Sequence, residues 1–116
     1  MRHIHTISFQ HAVEGIITAF KSQPNFRVHA LAAVVVVMAG WYWQLNSSEW
    51  AVLVLTIALV VVAELINTAV EATVDLLVEQ YNHYAKIAKD VAAGAVLVSA
   101  FASVLVGLII VLPKSI

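Results

Sequence analysis

Four polar side chains suited to proton and phosphate chemistry recur along one apolar stretch of the chain: Glu64, Asn67, Glu71 and Asp75. At 100° per residue their spacing places all four within an arc of roughly 80° on one helical face. A carboxylate at membrane depth costs about 2.5–3.5 kcal/mol on insertion scales, so such residues in a membrane helix indicate a functional site. Glu64 lies about 10 Å deeper along the helix than Glu71, at a rise of 1.5 Å per residue.

Polar residues on either side of this stretch extend the same chemistry. Gln23, Arg27 and His29 lie near the first apolar run, and Lys89 and Asp90 follow the second. Carboxylates bind Mg²⁺, and Lys and Arg neutralise phosphate charge. A deep carboxylate can accept a proton from a hydroxyl presented by the membrane. From these residues alone, a membrane phosphotransferase is one interpretation among several.

The composition indicates a membrane protein. The chain has 116 residues, of which 62% are hydrophobic and 11% charged, with a mean hydropathy of +0.93. An ordinary soluble domain has about 25% charged residues, so that class is excluded. The net charge of −1 indicates no nucleic-acid partner, and the lack of cysteine excludes disulfides and thiolate metal sites. The four glycines are isolated, so a nucleotide site must be built from side chains rather than from a glycine-rich loop.

The apolar runs predict an all-α fold in one domain spanning residues 1–116. Three membrane helices are expected at about 28–45, 50–75 and 90–112. An amphipathic helix at about 4–22 is expected to lie in the membrane interface, with an apolar face formed by Phe9, Val13, Ile16, Ile17 and Phe20. Pro24 is the predicted break between this helix and the first span.

The distribution of basic residues predicts the orientation. Arg2, Lys21 and Arg27 precede the first span, and Lys86 and Lys89 lie between the second and third. Five of the six basic residues therefore fall on one side, which the positive-inside rule makes cytoplasmic. We expect a protein of the bacterial plasma membrane with its N-terminus and site in the cytoplasm and its C-terminus outside.

Small residues recur every four positions along the third span, at Ala95, Ser99, Ser103 and Gly107. This spacing allows helices to approach closely in lipid, within the chain or between chains. Because three helices of this size enclose very little, an oligomer is the expected way to bury the polar residues.

Two motifs carry a family resemblance over nearly the whole chain. The segment 64–75 reads ELINTAVEATVD and resembles the E-x-x-N-[ST]-A-x-E-x-x-x-D signature of the prokaryotic diacylglycerol kinase family. Residues 88–90 (AKD) and the following AAGAVL resemble a second stretch of that family. The NFRVH element at 25–29 and the Leu-Pro-Lys ending are similar to the Gram-positive branch, whose members mainly phosphorylate undecaprenol.

The resemblance implies a homotrimer of three-span protomers with active sites shared between protomers at the cytoplasmic interface. Its implied reaction transfers the γ-phosphoryl group of MgATP to a lipid hydroxyl. By motif, Glu64 resembles the catalytic base, and Asn67 is expected to help place the reacting groups. Arg27 and His29, from the NFRVH element, are the further candidates on the lipid-substrate side.

The resemblance also implies a nucleotide and metal site. Glu71 resembles the principal Mg²⁺ carboxylate, which also bridges to the nucleotide phosphates. Lys89 is expected on phosphate, Asp90 on the nucleoside side, and Asp75 in support of the nucleotide site. Gln23 departs from the pattern, because the family usually has Glu there as a second metal ligand. Either the site tolerates the neutral ligand at reduced metal affinity, or the residue was changed deliberately.

Several alternatives stay open at the level of sequence. The acceptor is undecaprenol or, as the alternative, diacylglycerol. A proton- or ion-conducting small oligomer would use Glu64 and Glu71 as relay carboxylates, and a non-enzymatic assembly subunit would use the small-residue stripe. Structural roles are also open: an ion pair for the two glutamates, an interhelical hydrogen bond for Asn67, and simple solvation for Asp75.

Overall fold

The computed structural model describes residues 4–116, and the chain is helical over that range with no strand. The helices are α1 (Ile4–Ser22), α2 (Pro24–Tyr42), α3 (Ser47–Leu77) and α4 (His83–Ser115). By length and composition, α2, α3 and α4 are each able to cross a membrane. The prediction of an all-α fold with three candidate spans is therefore confirmed.

The break predicted at Pro24 is present. Gln23 has an extended backbone (φ −115°, ψ 105°), and Pro24 occupies the first turn of α2. Proline disfavours a helical conformation in the residue before it and fits the first helical position, where no amide hydrogen is needed. Arg27 closes the corner, because its Nη1 donates to the carbonyl oxygens of Lys21 (2.9 Å) and Phe20 (3.4 Å) at the end of α1.

The turn from α2 to α3 is closed by local hydrogen bonds. Gln44 adopts a left-handed conformation (φ 53°), and the amide of Leu45 donates to the Gly40 carbonyl over 3.1 Å. This is the usual way to satisfy the last carbonyls of a helix, although glycine more often holds the left-handed position. Gly40 is buried, with little space for a side chain beside the Trp50 ring.

A capping box begins α3. The Glu49 amide donates to Asn46 Oδ1 (2.9 Å), and the Asn46 amide donates to Glu49 Oε1 (3.0 Å). Lys114 Nζ lies 3.0 Å from the same Glu49 oxygen. The last turn of α4 is thereby tied to the first turn of α3, at the end of the bundle opposite Lys89.

The core runs along the contact between α3 and α4, which is far more extensive than the contact of α2 with α3. Leu53, Val60 and Glu64 are buried on α3, and Ala92 and Ser99 on α4. Spacings of four and seven residues place each set on one helical stripe. Close packing by small residues is seen at Ser99; packing between chains stays a prediction.

The apolar face of α1 is not covered by the rest of the chain. Phe9 is 75% exposed, and Val13, Ile16, Ile17 and Phe20 are also exposed. Such a face requires lipid or another protein surface. The location of α1 in the membrane interface stays a prediction.

Candidate functional site

Glu64 is the most deeply buried charged residue in the part of the chain that the structure describes, at 2% exposure. It lies on the α3 stripe that faces the core, four residues after the buried Val60. His29, in the second turn of α2, points its Nδ1 to within 2.9 Å of Glu64 Oε1. A buried carboxylate needs such a partner, because transfer of an unpaired charge from water is costly.

The contact between the two side chains has the length of a hydrogen bond but not its angular geometry. His29 Nδ1, Glu64 Oε1 and Asn67 Oδ1 are all buried without a hydrogen-bond partner among the described residues. At 2.9 Å the two atoms are near enough for Nδ1–H to donate to Oε1 once the side chains are aligned. Buried polar atoms are rarely left unsatisfied, so Asn67 Oδ1 marks a place where another group can donate a hydrogen bond.

Burial decreases along α3 from Glu64 towards the end of the helix. Asn67 and Glu71 are half-buried, and Asp75 is exposed. Lys89 of α4 reaches across to this end of α3, where its Nζ lies 2.6 Å from Asp75 Oδ1. Glu71 is close enough to attract the same ammonium group electrostatically. The structure therefore brings together three of the predicted nucleotide-site residues.

Asp90, the fourth of these residues, is directed elsewhere. Its Oδ2 accepts from Lys86 Nζ over 2.6 Å, and both side chains are exposed on α4. The i, i+4 spacing of this pair places the two residues on one face of the helix. In the sequence analysis, Lys86 is used only to predict the orientation in the membrane. Its separation of four residues from Asp90 was the signal that the two side chains form a pair.

The α1–α2 corner holds the remaining predicted residues. The Arg27 guanidinium is engaged with α1 carbonyls. Gln23 is half-buried and forms no capping hydrogen bond through its side chain. Among residues 8–116, whose side chains the structure describes, there is no cluster of three or more His, Cys, Asp or Glu side chains able to hold a metal.

An apolar groove with a volume of about 370 Å³ lies between α2, α3 and α4. His29 lies at one end of its α2 wall and Trp43 at the other, about 21 Å apart at 1.5 Å per residue. The hydroxyls of Thr56 and Ser103 in the wall donate to carbonyls of their own helices. The groove therefore offers an apolar chain a long surface that ends at His29, whose Nδ1 contacts the buried carboxylate of Glu64.

Comparison with known proteins identifies the family. The model of the prokaryotic diacylglycerol kinase family matches residues 10–111. The chain belongs to the prokaryotic diacylglycerol kinase family. The predicted resemblance is confirmed, and the polar stripe of α3 lies within the matched region.

Relatives of this chain are named for different acceptor lipids. The chain is 49% identical over 108 residues to a diacylglycerol kinase of Synechocystis, covering 92% of this chain and 62% of that protein. It is 45% identical over 107 residues to the undecaprenol kinase of Bacillus subtilis, covering 92% and 87%. The Escherichia coli diacylglycerol kinase is 26% identical over 92 residues, covering 79% and 75%.

Sequence reasoning did not find the pairing of His29 with Glu64 in this family member. His29 was predicted to touch the lipid substrate, whereas the structure places its Nδ1 against the carboxylate of α3. The two residues are 35 positions apart, and no spacing rule within one helix connects them. A histidine one turn into a span, on the level of a buried glutamate, was the only signal.

Proposed function

We propose that this protein is an ATP- and Mg²⁺-dependent lipid kinase that phosphorylates a membrane alcohol, preferentially undecaprenol. The observation that carries this proposal is the buried Glu64 carboxylate in contact with His29, the histidine at the end of an apolar groove. The groove suits the hydrocarbon part of a lipid, and the carboxylate suits its hydroxyl. Family membership supports the same reaction class.

In this mechanism Glu64 acts as the general base. Its carboxylate accepts the proton of the lipid hydroxyl as the hydroxyl oxygen attacks the γ-phosphorus. General-base assistance of this kind contributes about 10²–10⁴-fold to a rate. Asn67, one helical turn away, has a buried and unsatisfied Oδ1 that can accept a hydrogen bond from a reacting group. His29, at the end of the groove, and Arg27 remain on the side of the lipid headgroup.

The nucleotide is proposed to bind where Lys89, Glu71 and Asp75 meet. Lys89 exchanges its contact with Asp75 for a phosphate oxygen, and Asp90 contacts the nucleoside side. Mg²⁺ supplies electrostatic stabilisation of the transferred phosphoryl group when it is bound. Glu71 and Gln23 fit this metal, since Mg²⁺ needs only one or two protein carboxylates or carbonyls beside phosphate and water.

The acceptor assignment rests on the motifs rather than on overall identity. Identities of 49% and 45% to proteins named for different acceptors do not separate diacylglycerol from undecaprenol. The NFRVH element and the Leu-Pro-Lys ending favour undecaprenol. Diacylglycerol is the alternative acceptor, because the Synechocystis relative is named a diacylglycerol kinase.

The proposed setting is the bacterial plasma membrane, with α1 and the nucleotide site on the cytoplasmic side and the C-terminus outside. The basic residues support this orientation. The exposed apolar face of α1, the open groove and the absence of a three-ligand cluster among residues 8–116 support a homotrimer with shared sites. A second chain would cover the apolar surface and add polar groups.

The test is phosphoryl transfer from radiolabelled ATP in detergent micelles that contain undecaprenol or diacylglycerol. We expect labelled lipid with the unchanged protein and a loss of about 10²–10⁴-fold with Glu64→Gln, because the amide cannot accept the proton. Glu79→Gln, the same change in the exposed loop before α4, is the matched control and should keep full activity. No labelled lipid at saturating Mg²⁺ with either acceptor, also after Gln23→Glu, would refute the kinase assignment.

A further inference from the structure

Three buried polar atoms without partners are concentrated around one contact between α2 and α3. They are His29 Nδ1, Glu64 Oε1 and, one helical turn along α3, Asn67 Oδ1. Leaving a buried polar group unsatisfied costs about 1–3 kcal/mol, and more for a charged group. Nδ1 and Oε1 lie 2.9 Å apart and can satisfy each other, which leaves Asn67 Oδ1 to accept a hydrogen bond from another group.

The side chains of Glu64 and His29 differ in exposure, and the difference suits a buried base and a partly exposed residue that positions it. The Glu64 side chain is 2% exposed, whereas that of His29 is 26% exposed and borders the groove. Only one carboxylate oxygen, Oε1, lies against the imidazole, which leaves Oε2 for another group. A single donor from a partly exposed ring can thus hold a buried carboxylate without blocking it.

The other charged groups around this contact have partners of their own. On α2, Arg27 is engaged with α1 carbonyls. On α4, Lys89 is bonded to Asp75 near the end of α3, about three helical turns beyond Glu64. Glu71, the next carboxylate along α3, is also drawn to Lys89. His29 is therefore the only ionisable side chain that the described residues place against Glu64.

We propose that His29 is a positioning residue for the phosphoryl transfer, donating from Nδ1–H to Glu64 Oε1 so that the buried carboxylate is held with Oε2 facing the lipid hydroxyl. The inference rests on the proposed kinase function. In the step, the O–H bond of the alcohol breaks and its proton goes to Oε2. The alcohol oxygen bonds to the γ-phosphorus of ATP, and ADP leaves with the electron pair of the broken P–O bond.

Asparagine and glutamine can test this proposal, because their amide nitrogens mimic the two different imidazole nitrogens. The amide nitrogen of asparagine can replace Nδ1–H, whereas that of glutamine reaches approximately to the place of Nε2. His29→Asn should keep the hydrogen bond to Glu64 and most of kcat. His29→Gln and His29→Leu should lose it, since neither offers a donor at the Nδ1 position.

The experiment measures kcat and KM for ATP and lipid in mixed micelles. For His29→Leu we expect kcat to fall about 10–100-fold with an almost unchanged KM for ATP, part of the 10²–10⁴-fold contribution of the base. His29→Asn should restore most of kcat and His29→Gln should not, a difference that a merely structural role would not produce. His83→Asn, at the exposed start of α4, is the matched control and should leave kcat and both KM values unchanged.

Two outcomes would overturn the inference while leaving the kinase function intact. The first is equal kcat values for the Asn, Gln and Leu variants with an active unchanged protein. The second is an effect confined to the KM for lipid, which would make His29 a substrate contact only. An inactive unchanged protein, or a fully active Glu64→Gln variant, would instead count against the proposed function.

An infrared difference spectrum adds a readout that does not depend on activity. The carboxyl stretching bands of Glu64, assigned as those that Glu64→Gln removes, should shift in His29→Leu and stay in place in His29→Asn, because the loss of a hydrogen bond changes their frequency. Unchanged bands in folded His29→Leu protein would refute the positioning role. If the leucine variant does not fold, the same comparison between His29→Asn and His29→Gln decides.

Discussion

Gln23→Glu tests how the site holds its metal. Gln23 precedes α2, is half-buried and uses its side chain for no capping bond, so the substitution breaks no hydrogen bond of the described structure. In water, two unit charges 4 Å apart attract by about 1 kcal/mol, so one added negative charge is worth about 2 kcal/mol to a dication. That energy corresponds to roughly 30-fold in apparent Mg²⁺ affinity.

The substitution should also stabilise the fold slightly. A negative charge at a helix N-terminus contributes about 0.3–1 kcal/mol. The thermal midpoint in detergent should therefore rise or stay constant. A changed Mg²⁺ response in a protein of unimpaired stability would then be an effect on the site itself.

The assay is the initial rate at saturating ATP and lipid over a titration of free Mg²⁺. We expect the half-saturating Mg²⁺ concentration to fall by about an order of magnitude or more, with the largest rate gain at limiting Mg²⁺. Gln80→Glu, the same change in the exposed loop before α4, controls for general surface charge and should leave the titration unchanged. Identical titrations for Gln23→Glu and the unchanged protein would refute the metal role of this position.

Two further predictions concern packing and nucleotide binding. Gly40→Ala should lower the thermal midpoint, because the added Cβ would lie 2.7 Å from the Trp50 ring and overpacking costs about 1–3 kcal/mol. The control is Gly94→Ala, which has open space around it and should not lower the midpoint. Equal midpoints for the two variants would contradict this account. Lys89→Met should raise the KM for ATP about tenfold or more through loss of a charged phosphate contact. Thermal stability should change little, since the ion pair of Lys89 with Asp75 is exposed, and an unchanged KM would remove Lys89 from the nucleotide site.

Much of the architecture was accessible from local patterns. Apolar run length predicted three candidate spans, and Pro24 predicted the corner between α1 and α2, because both depend on neighbouring residues alone. The helices themselves extend beyond the apolar runs: α4 begins at His83, seven residues before the expected span. Asn82 sets that start by accepting from the amides of Tyr84 and Ala85. A hydropathy pattern does not report such caps.

The candidate site was accessible only in part. The periodicity of α3 placed Glu64 and Glu71 on one face, since helical spacing fixes that relation. It did not reveal that Asp90 pairs with Lys86 whereas Asp75 pairs with Lys89. The pairing of Lys89 with Asp75 depends on which way α4 turns towards α3, and several rotations of the helix fit the same apolar pattern. The pair within α4 depends only on its i, i+4 spacing, which the sequence does show.

The sequence by itself determined the helical class, the candidate spans and the polar face of α3, because each follows from residue order within one segment. Only the tertiary structure decided that His29 lies against Glu64 and that an apolar groove ends at His29. These features depend on how α2 is tilted and rotated against α3 and α4. That arrangement is set by side-chain packing between residues far apart in the chain, which no local periodicity encodes.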